Sequence, residues 1–481
     1  MAKNTKVAVI GDFAETPRYQ GAGSSVVNPT KLDSTMGVIG NFDLDVVGFE
    51  KGYPRVGAGD SAMQAKAVEL AKKADVVLLY LGLDEISESE GLDRSHMKLP
   101  QSQIDLLDAV AAVNSNVVIV MSAGSAVEMP WLGKAKALVH GYLCGQAGVS
   151  AVLKVIVGEI NPSGKLSETY PIAYEDVSSA PYFPAVQRNV EDREGLYVGY
   201  RYFDTVKKPV LFPFGYGLSY TTFEYSDLKV SDKEATFTIT NTGSVDGAEV
   251  AQLYVSAKAP KVYRPAKELK GFAKVFLKAG ESKTVTIPLD DKAFRYFNVK
   301  TDKFEIDGGD YEIQIGASVA DIKLSAEITV KGTEAVLPYE LADLPSYASA
   351  DIKAVSDKEF EKLLGTPIPD GSWSGTLQMN DAICQLYYAK SLKARLVYKI
   401  MTGMLNKSIE KGKPDLNIIF IYNMPFRAIG KMTGGMVSQD MCESIVQIVN
   451  GHGIAFCKGL VGLIGGFFKQ QKVMKKAKAL K

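Results

Sequence analysis

Val76-Val77-Leu78-Leu79-Tyr80-Leu81 is an unbroken apolar run that stops at Gly82 and opens into a loop crowded with carboxylates. A strand with no polar alternation is buried on both faces, as in a parallel sheet covered by helices. Working outward, Val7 to Ile10, Val46 to Phe49, Val117 to Met121 and Ala137 to Leu143 repeat the pattern, while Ser61 to Lys73 and Gln103 to Val113 read as amphipathic helices. The alternation predicts an α/β domain over residues 1–175, a mostly parallel sheet sandwiched by helices. Ligands in such sheets sit outside the carboxyl ends of the strands, which directs attention to the loops after Ile10, Leu81, Met121 and Leu143.

The period then changes. Residues 176–224 are rich in Pro, Gly and Tyr, and so many aromatics predict a connector packed on a neighbour rather than a solvated linker. From 225 to 331, Phe237/Ile239, Ala251/Leu253/Val255, Val285/Ile287/Leu289 and Tyr311/Ile313/Ile315 alternate with polar residues, with turn signals at Asn241-Thr242-Gly243 and Asp307-Gly308-Gly309, and predict an antiparallel β-sandwich. Residues 332–481 are mainly helical in pattern. Ile454 to Phe468 is apolar but interrupted by Lys458 and glycines, and it falls short of the roughly 20 residues a bilayer span requires. The lysines from Lys469 to Lys481 are read as a solvated helix end rather than a membrane anchor.

Lys plus Arg and Asp plus Glu both number 55, so the formal net charge is zero and nucleic acid is not an expected partner. Cys144, Cys384, Cys442 and Cys457 form no C-x-x-C pair and the histidines are scattered, so neither a metal site, a disulfide framework nor any cofactor is implied. Met1 runs directly into the first strand without the apolar core and cleavage site of a signal peptide, which predicts a cytoplasmic chain.

The loop Asp84-Glu85-Ile86-Ser87-Glu88-Ser89-Glu90-Gly91-Leu92-Asp93-Arg94 lies at the ligand edge of the predicted sheet and could present a proton donor to a substrate. A solvated acidic loop is the competing reading, since loops are commonly polar. Gly91 permits close approach to a ligand, and Asp93 and Arg94 could pair with each other or bind hydroxyls. His140, inside an apolar strand, reads as a core residue with a satisfied hydrogen bond, and His96 as a residue near the pocket. Gly124-Ser125-Ala126 lacks the G-x-S-x-G elbow of a serine hydrolase. The glycines after Tyr19-Gln20 lack the spacing of a phosphate-binding loop, which leaves a nucleotide-binding reading without a motif.

The run Glu88 to Arg94, followed by Leu99-Pro100 and Gln103, resembles the acid/base loop of glycoside hydrolase family 3, the β-glucosidase-like enzymes. Tyr19 to Ser25, Asn161-Pro162-Ser163-Gly164-Lys165-Leu166, Tyr197 to Tyr202 and Phe212 to Ser219 agree with the same family in order and spacing. The resemblance covers residues 6–331. It implies that the sandwich is a fibronectin type III-like domain, and that the tail, with Met424-Pro425-Phe426-Arg427 and Asn450-Gly451-His452-Gly453, is similar to an extension found on clostridial members.

The resemblance implies retaining hydrolysis of a β-linked glucoside or oligosaccharide by two carboxylates. Glu90 matches the acid/base position, with Glu88 as second choice, and an acid working near neutrality is expected to have its pKa raised by burial and by a neighbouring carboxylate. Tyr19, Gln20, Gly21, Gly23, Ser24 and Ser25 are implied to wall the sugar pocket, and Asp93 and Arg94 to orient the loop. The family's nucleophile is an aspartate on a (β/α)8 barrel of about 250 residues, for which this sequence offers no region. Ser226-Asp227-Leu228 lacks the accompanying tryptophan and is discounted. The expected partner is therefore a barrel in trans or lost upstream, with little activity from this chain alone. The alternative is a non-catalytic carbohydrate-binding protein derived from such an enzyme.

Overall fold

A computed structural model describes residues 1–185, 187–411, 415–451 and 453–479. The first strands form a parallel sheet: β1 (Thr5–Ile10), β2 (Leu44–Glu50), β3 (Val76–Gly82), β4 (Val117–Ser122) and β5 (Ala137–His140), ordered β2-β1-β3-β4-β5. Val7 to Ile10, Val77 to Leu79, Leu81 and Ile119 are fully buried. Burial on both faces holds for the three central strands; β2 and β5 are edges and only half covered. The strand expected to reach Leu143 stops at His140, because Tyr142 turns into the left-handed region at φ 51°.

Helices α1 (Ser61–Ala71), α2 (Gln101–Ala111) and α3 (Gly148–Val157) cover the sheet. The Asp60 carboxylate accepts from the Ala62 and Met63 N–H groups and starts α1, which otherwise opens with unpaired donors. In α2 the buried Gln103 amide bonds both the N–H and the carbonyl of Gly82, each at 2.9 Å. That double bond pins the end of β3 where the acidic loop departs. The strand order reverses between β1 and β3, so the loops leaving these two strands diverge and open a crevice, the usual ligand position in such sheets.

Seven strands build the sandwich: β6 (Phe223–Val230), β7 (Glu234–Asn241), β8 (Gly247–Ala257), β9 (Glu268–Leu277), β10 (Ser282–Pro288), β11 (Gly309–Ser318) and β12 (Asp321–Val330). One sheet is ordered β9-β8-β11-β12 and the other β10-β7-β6, and Phe237, Ile239, Leu253, Ile313 and Ile315 fill the space between them. The Asn161–Leu166 and Phe212–Ser219 motifs join this domain to the first. The Leu166 N–H donates to the Tyr216 carbonyl and the Leu166 carbonyl accepts from the Gly215 N–H, Asn161 accepts from the Ser219 hydroxyl and the Tyr220 N–H, and Lys165 reaches Glu249 of β8 at 2.9 Å. Those motifs are therefore joints.

The connector packs on the tail, as its aromatics predict. Tyr197, Tyr202 and Phe203 share a core with Leu344, Tyr347, Ile352 and Phe360, and the Tyr197 hydroxyl donates to the Tyr347 carbonyl at 2.5 Å. Beyond it run α4 (Leu392–Glu410), α5 (Leu416–Asn423), α6 (Gln439–Asn450) and α7 (Ile454–Ala479). Gly459, Gly462 and Gly466 of α7 lie against Ile448, Ser444 and Met441 of α6. Among the described residues no helix is long and apolar enough to cross a membrane. His452 lies outside them.

Candidate active site

Segments from four strand ends converge on one cavity of about 360 Å³, within the range of small-molecule sites. Arg18, Gly21 and Ala22 follow β1, Glu88 to Glu90 with Leu92 and Arg94 follow β3, Gly124 and Ser125 follow β4, and Leu143 follows β5.

Glu88, largely but not fully covered, is the anchor. Its Oε2 accepts from Arg18 Nη1 at 2.6 Å and from the Gly124 N–H at 2.9 Å, its Oε1 from the Ser125 hydroxyl at 2.7 Å, and Arg94 Nη1 stands 3.7 Å away. The Arg18 side chain, 1% exposed, also donates to the Leu83 and Glu88 carbonyls and so clamps both ends of the turn. Burial pushes the Glu88 carboxyl up, but the Gly124 N–H, the Ser125 hydroxyl and Arg18 together outweigh it and hold its pKa below the ordinary glutamate value. A folded-state pKa below the unfolded one gives stability that is present above the unfolded value and is lost as pH falls through the folded one. Urea midpoints of the wild type should therefore drop more steeply than those of Glu88→Gln on acidification below about pH 4.3, the ordinary glutamate value, and the two curves should converge at strongly acidic pH. Parallel curves would show that Glu88 is not held ionised by its partners.

Glu90, two residues on, has a different setting. Its side chain is exposed, Oε2 accepts from the Ser24 N–H at 2.6 Å, and its own N–H donates to the Ala22 carbonyl at 2.8 Å. The burial and raised pKa expected for it are not found. The Ser24 N–H, then the Ser24 hydroxyl, hold the Glu90 carboxyl below its ordinary value, and the exposed side chain lacks the burial that would oppose them. Gly23, at φ 149°, has no room for a side chain: a Cβ there would stand 2.4 Å from Glu90 Oε2. The glycine loop after β1 thus cradles Glu90 directly.

The remaining loop carboxylates are occupied or turned away. Asp84 accepts from the Ile86 and Ser87 N–H groups, and Glu85 is bound twice by Arg55. Asp93 is exposed and outside the cavity lining, while Arg94 turns inward to Ser125 at 2.5 Å, so the two do not pair with each other. Among the described residues, Glu90 is the one cavity-lining carboxylate without an ion pair.

Of the glycine-loop residues, Gly21 lines the cavity, Gly23 and Ser24 touch Glu90, and Ser25 is exposed. Tyr19 and Gln20 bond each other and the Val27 backbone, and stand outside the lining. His96 is exposed and accepts from the Lys98 N–H. His140 is only half satisfied: Nδ1 lies 3.5 Å from the Met121 carbonyl, Nε2 has no partner among the described residues, and burial pulls its pKa down to about 4.

The sequence reading passed over Arg18, Ser125 and Glu168. Arg18 immediately precedes the Tyr19 to Ser25 motif, and Ser125 was weighed only as a nucleophile. Glu168 follows the Asn161–Leu166 motif; burial, and then the nearby Glu88 charge, push its carboxyl up despite the Ala126 N–H that it accepts at 3.3 Å.

A doubly wound α/β domain with a carboxylate-lined cavity at its switch point, joined to a β-sandwich, is the class that the fold and site define. Residues 1–220 match the glycosyl hydrolase family 3 C-terminal domain and residues 249–319 a fibronectin type III-like domain. The chain belongs to glycoside hydrolase family 3, of which it carries these two domains. It is 38% identical over 461 residues to thermostable beta-glucosidase B of Acetivibrio thermocellus, covering 94% of this chain and 56% of that protein. It is 46% identical to an exo-alpha-(1->6)-L-arabinopyranosidase of Bifidobacterium breve, over 68% of this chain and 44% of the other. A crystal structure of a Bifidobacterium adolescentis GH3 beta-glucosidase superposes with a TM-score of 0.66 at 42% identity, over 73% of this chain and 53% of that one. The chain thus spans about half the length of the curated relatives it matches.

Proposed function

We propose that this chain supplies the general acid/base of a retaining β-glycosidase, with Glu90 as the proton-transferring group and the nucleophile carried on a (β/α)8 barrel. The observation that carries this reading is the contrast between the two carboxylates lining the cavity: Glu88 is tied down by Arg18, Gly124 and Ser125, whereas Glu90 is exposed, carries no ion pair among the described residues and is held through one oxygen by the Ser24 N–H. Retaining hydrolysis needs a second carboxylate about 5 to 5.5 Å from the first, able to attack the sugar. Glu88 is unsuited to that role, because both its oxygens are engaged by Arg18, Gly124 and Ser125.

Similarity to both a beta-glucosidase and an arabinopyranosidase is consistent with a half that does not itself choose the sugar. We assign that choice to the barrel. The purified chain should turn over no aryl β-glucoside, and adding a family 3 barrel domain should generate activity. Turnover by the chain alone that Glu90→Gln abolishes would refute the division of labour. Sugar binding by the chain that ignores Glu90→Ala, with no activity under any complementation, would instead favour a non-catalytic carbohydrate-binding protein.

A further inference from the structure

The Met424-Pro425-Phe426-Arg427 motif of the tail has no part in the chemistry above, yet it anchors a helix that ends against the Glu90 loop. Beyond the Ser89–Ala22 bridge and the bond from the Glu90 N–H to the Ala22 carbonyl, that loop has no regular secondary structure as far as Pro100. Gly91, next in sequence, takes φ 80°, and α5 is seated on it. Asn423, the last residue of α5, donates its side-chain amide to the Gly91 carbonyl at 2.8 Å. A Cβ on Gly91 would lie 2.4 Å from Ile419 Cγ2, and Ile419 is 1% exposed, so Ile419 packs closely on one side of Gly91 while the glycine stays exposed on the other.

The helix is held from behind. Immediately after Asn423, Met424 accepts from the Ile383 N–H, and the Phe426 and Arg427 N–H groups donate to the Asp381 and Met379 carbonyls. The Asp381 carboxylate is in turn bound through both oxygens by Arg188 of the connector, at 3.0 and 2.9 Å. A continuous set of contacts therefore runs from the connector through the motif and α5 to the residue beside Glu90.

We infer that the tail is a positioning element for the acid/base loop, with Asn423 and Ile419 as the positioning residues and the Met424–Arg427 segment as their anchor. This rests on the reading of Glu90 given above, but its test does not depend on it. In the full chain, Asn423→Ala and Ile419→Ala should each speed hydrogen–deuterium exchange of the 88–94 amides by about fivefold, the scale of one lost hydrogen bond or packing contact, with β1, β3 and the sandwich unaffected. Gly91→Ala, made from the other side of the contact, should speed exchange in 416–423, which keeps the test valid if a tail variant unfolds α5. With a barrel present, the tail variants should lower kcat at unchanged KM, and Ile419→Val should restore most of the loss. Unchanged exchange at 88–94 in a variant combining Asn423→Ala and Ile419→Ala would overturn the inference whatever Glu90 does. Faster exchange with unaltered kcat, in a system where Glu90→Gln is inactive, would overturn it as well.

Discussion

Glu90→Gln, in the chain complemented by a barrel, should lower kcat by about 10²- to 10⁴-fold, the usual contribution of a positioned acid/base. The loss should be smallest for aryl glucosides with good leaving groups, which need little protonation, and largest for oligosaccharides. The thermal midpoint should stay where it is, because the side chain is exposed and carries no ion pair among the described residues. In the chain alone the Ser24 amide keeps this carboxyl ionised, so it can act as an acid only after sugar and barrel exclude water and raise its pKa. The alkaline limb of the complemented enzyme's pH profile should therefore report a group absent from the titration of the chain by itself. An undiminished kcat in Glu90→Gln would move the role to another residue.

Glu88→Ala should do the opposite: unfold first and inactivate as a consequence. Removing it leaves the Arg18 guanidinium buried at 1% exposure with only carbonyl partners. Breaking one side of a buried ion pair costs about 3 to 5 kcal/mol, and the low end, about 3, applies because the cavity admits water to Glu88. Urea denaturation would measure it. A paired Arg18→Met, Glu88→Leu variant should regain part of that loss, since neither charge is then stranded. If Glu88→Ala keeps the wild-type midpoint, the clamp contributes no stability and the pair of glutamates must be distinguished on other grounds.

The fold was legible because hydrophobic period is a local property: runs such as Val76–Leu81 against Phe237/Ile239 separate a covered parallel sheet from a half-solvated sandwich without any knowledge of pairing. Edges were not legible, since nothing in Val46 to Phe49 says that only one neighbour lies beside it. Within the site, the loop and its glycines were visible as motifs, and Glu90 and Glu88 as first and second candidates between which only geometry could decide. What escaped was each partner set. Arg18 lies 70 residues from Glu88 and Asn423 lies 332 from Gly91, and no spacing rule reaches that far. The pKa expectation for Glu90 failed for a related reason: burial depends on what stands over a loop, and the sequence of the loop does not contain that.

The aromatic cluster shared by the connector and the first turns of the tail has a practical corollary. Anyone cutting the polypeptide after residue 331 to isolate the two recognisable domains would strip the cover from Tyr197, Tyr202 and Phe203, leaving a sticky surface where the protein now has an interior. The natural seam for dissection lies elsewhere: whatever is removed from the far end, the stretch through Phe360 has to travel with the domains it insulates.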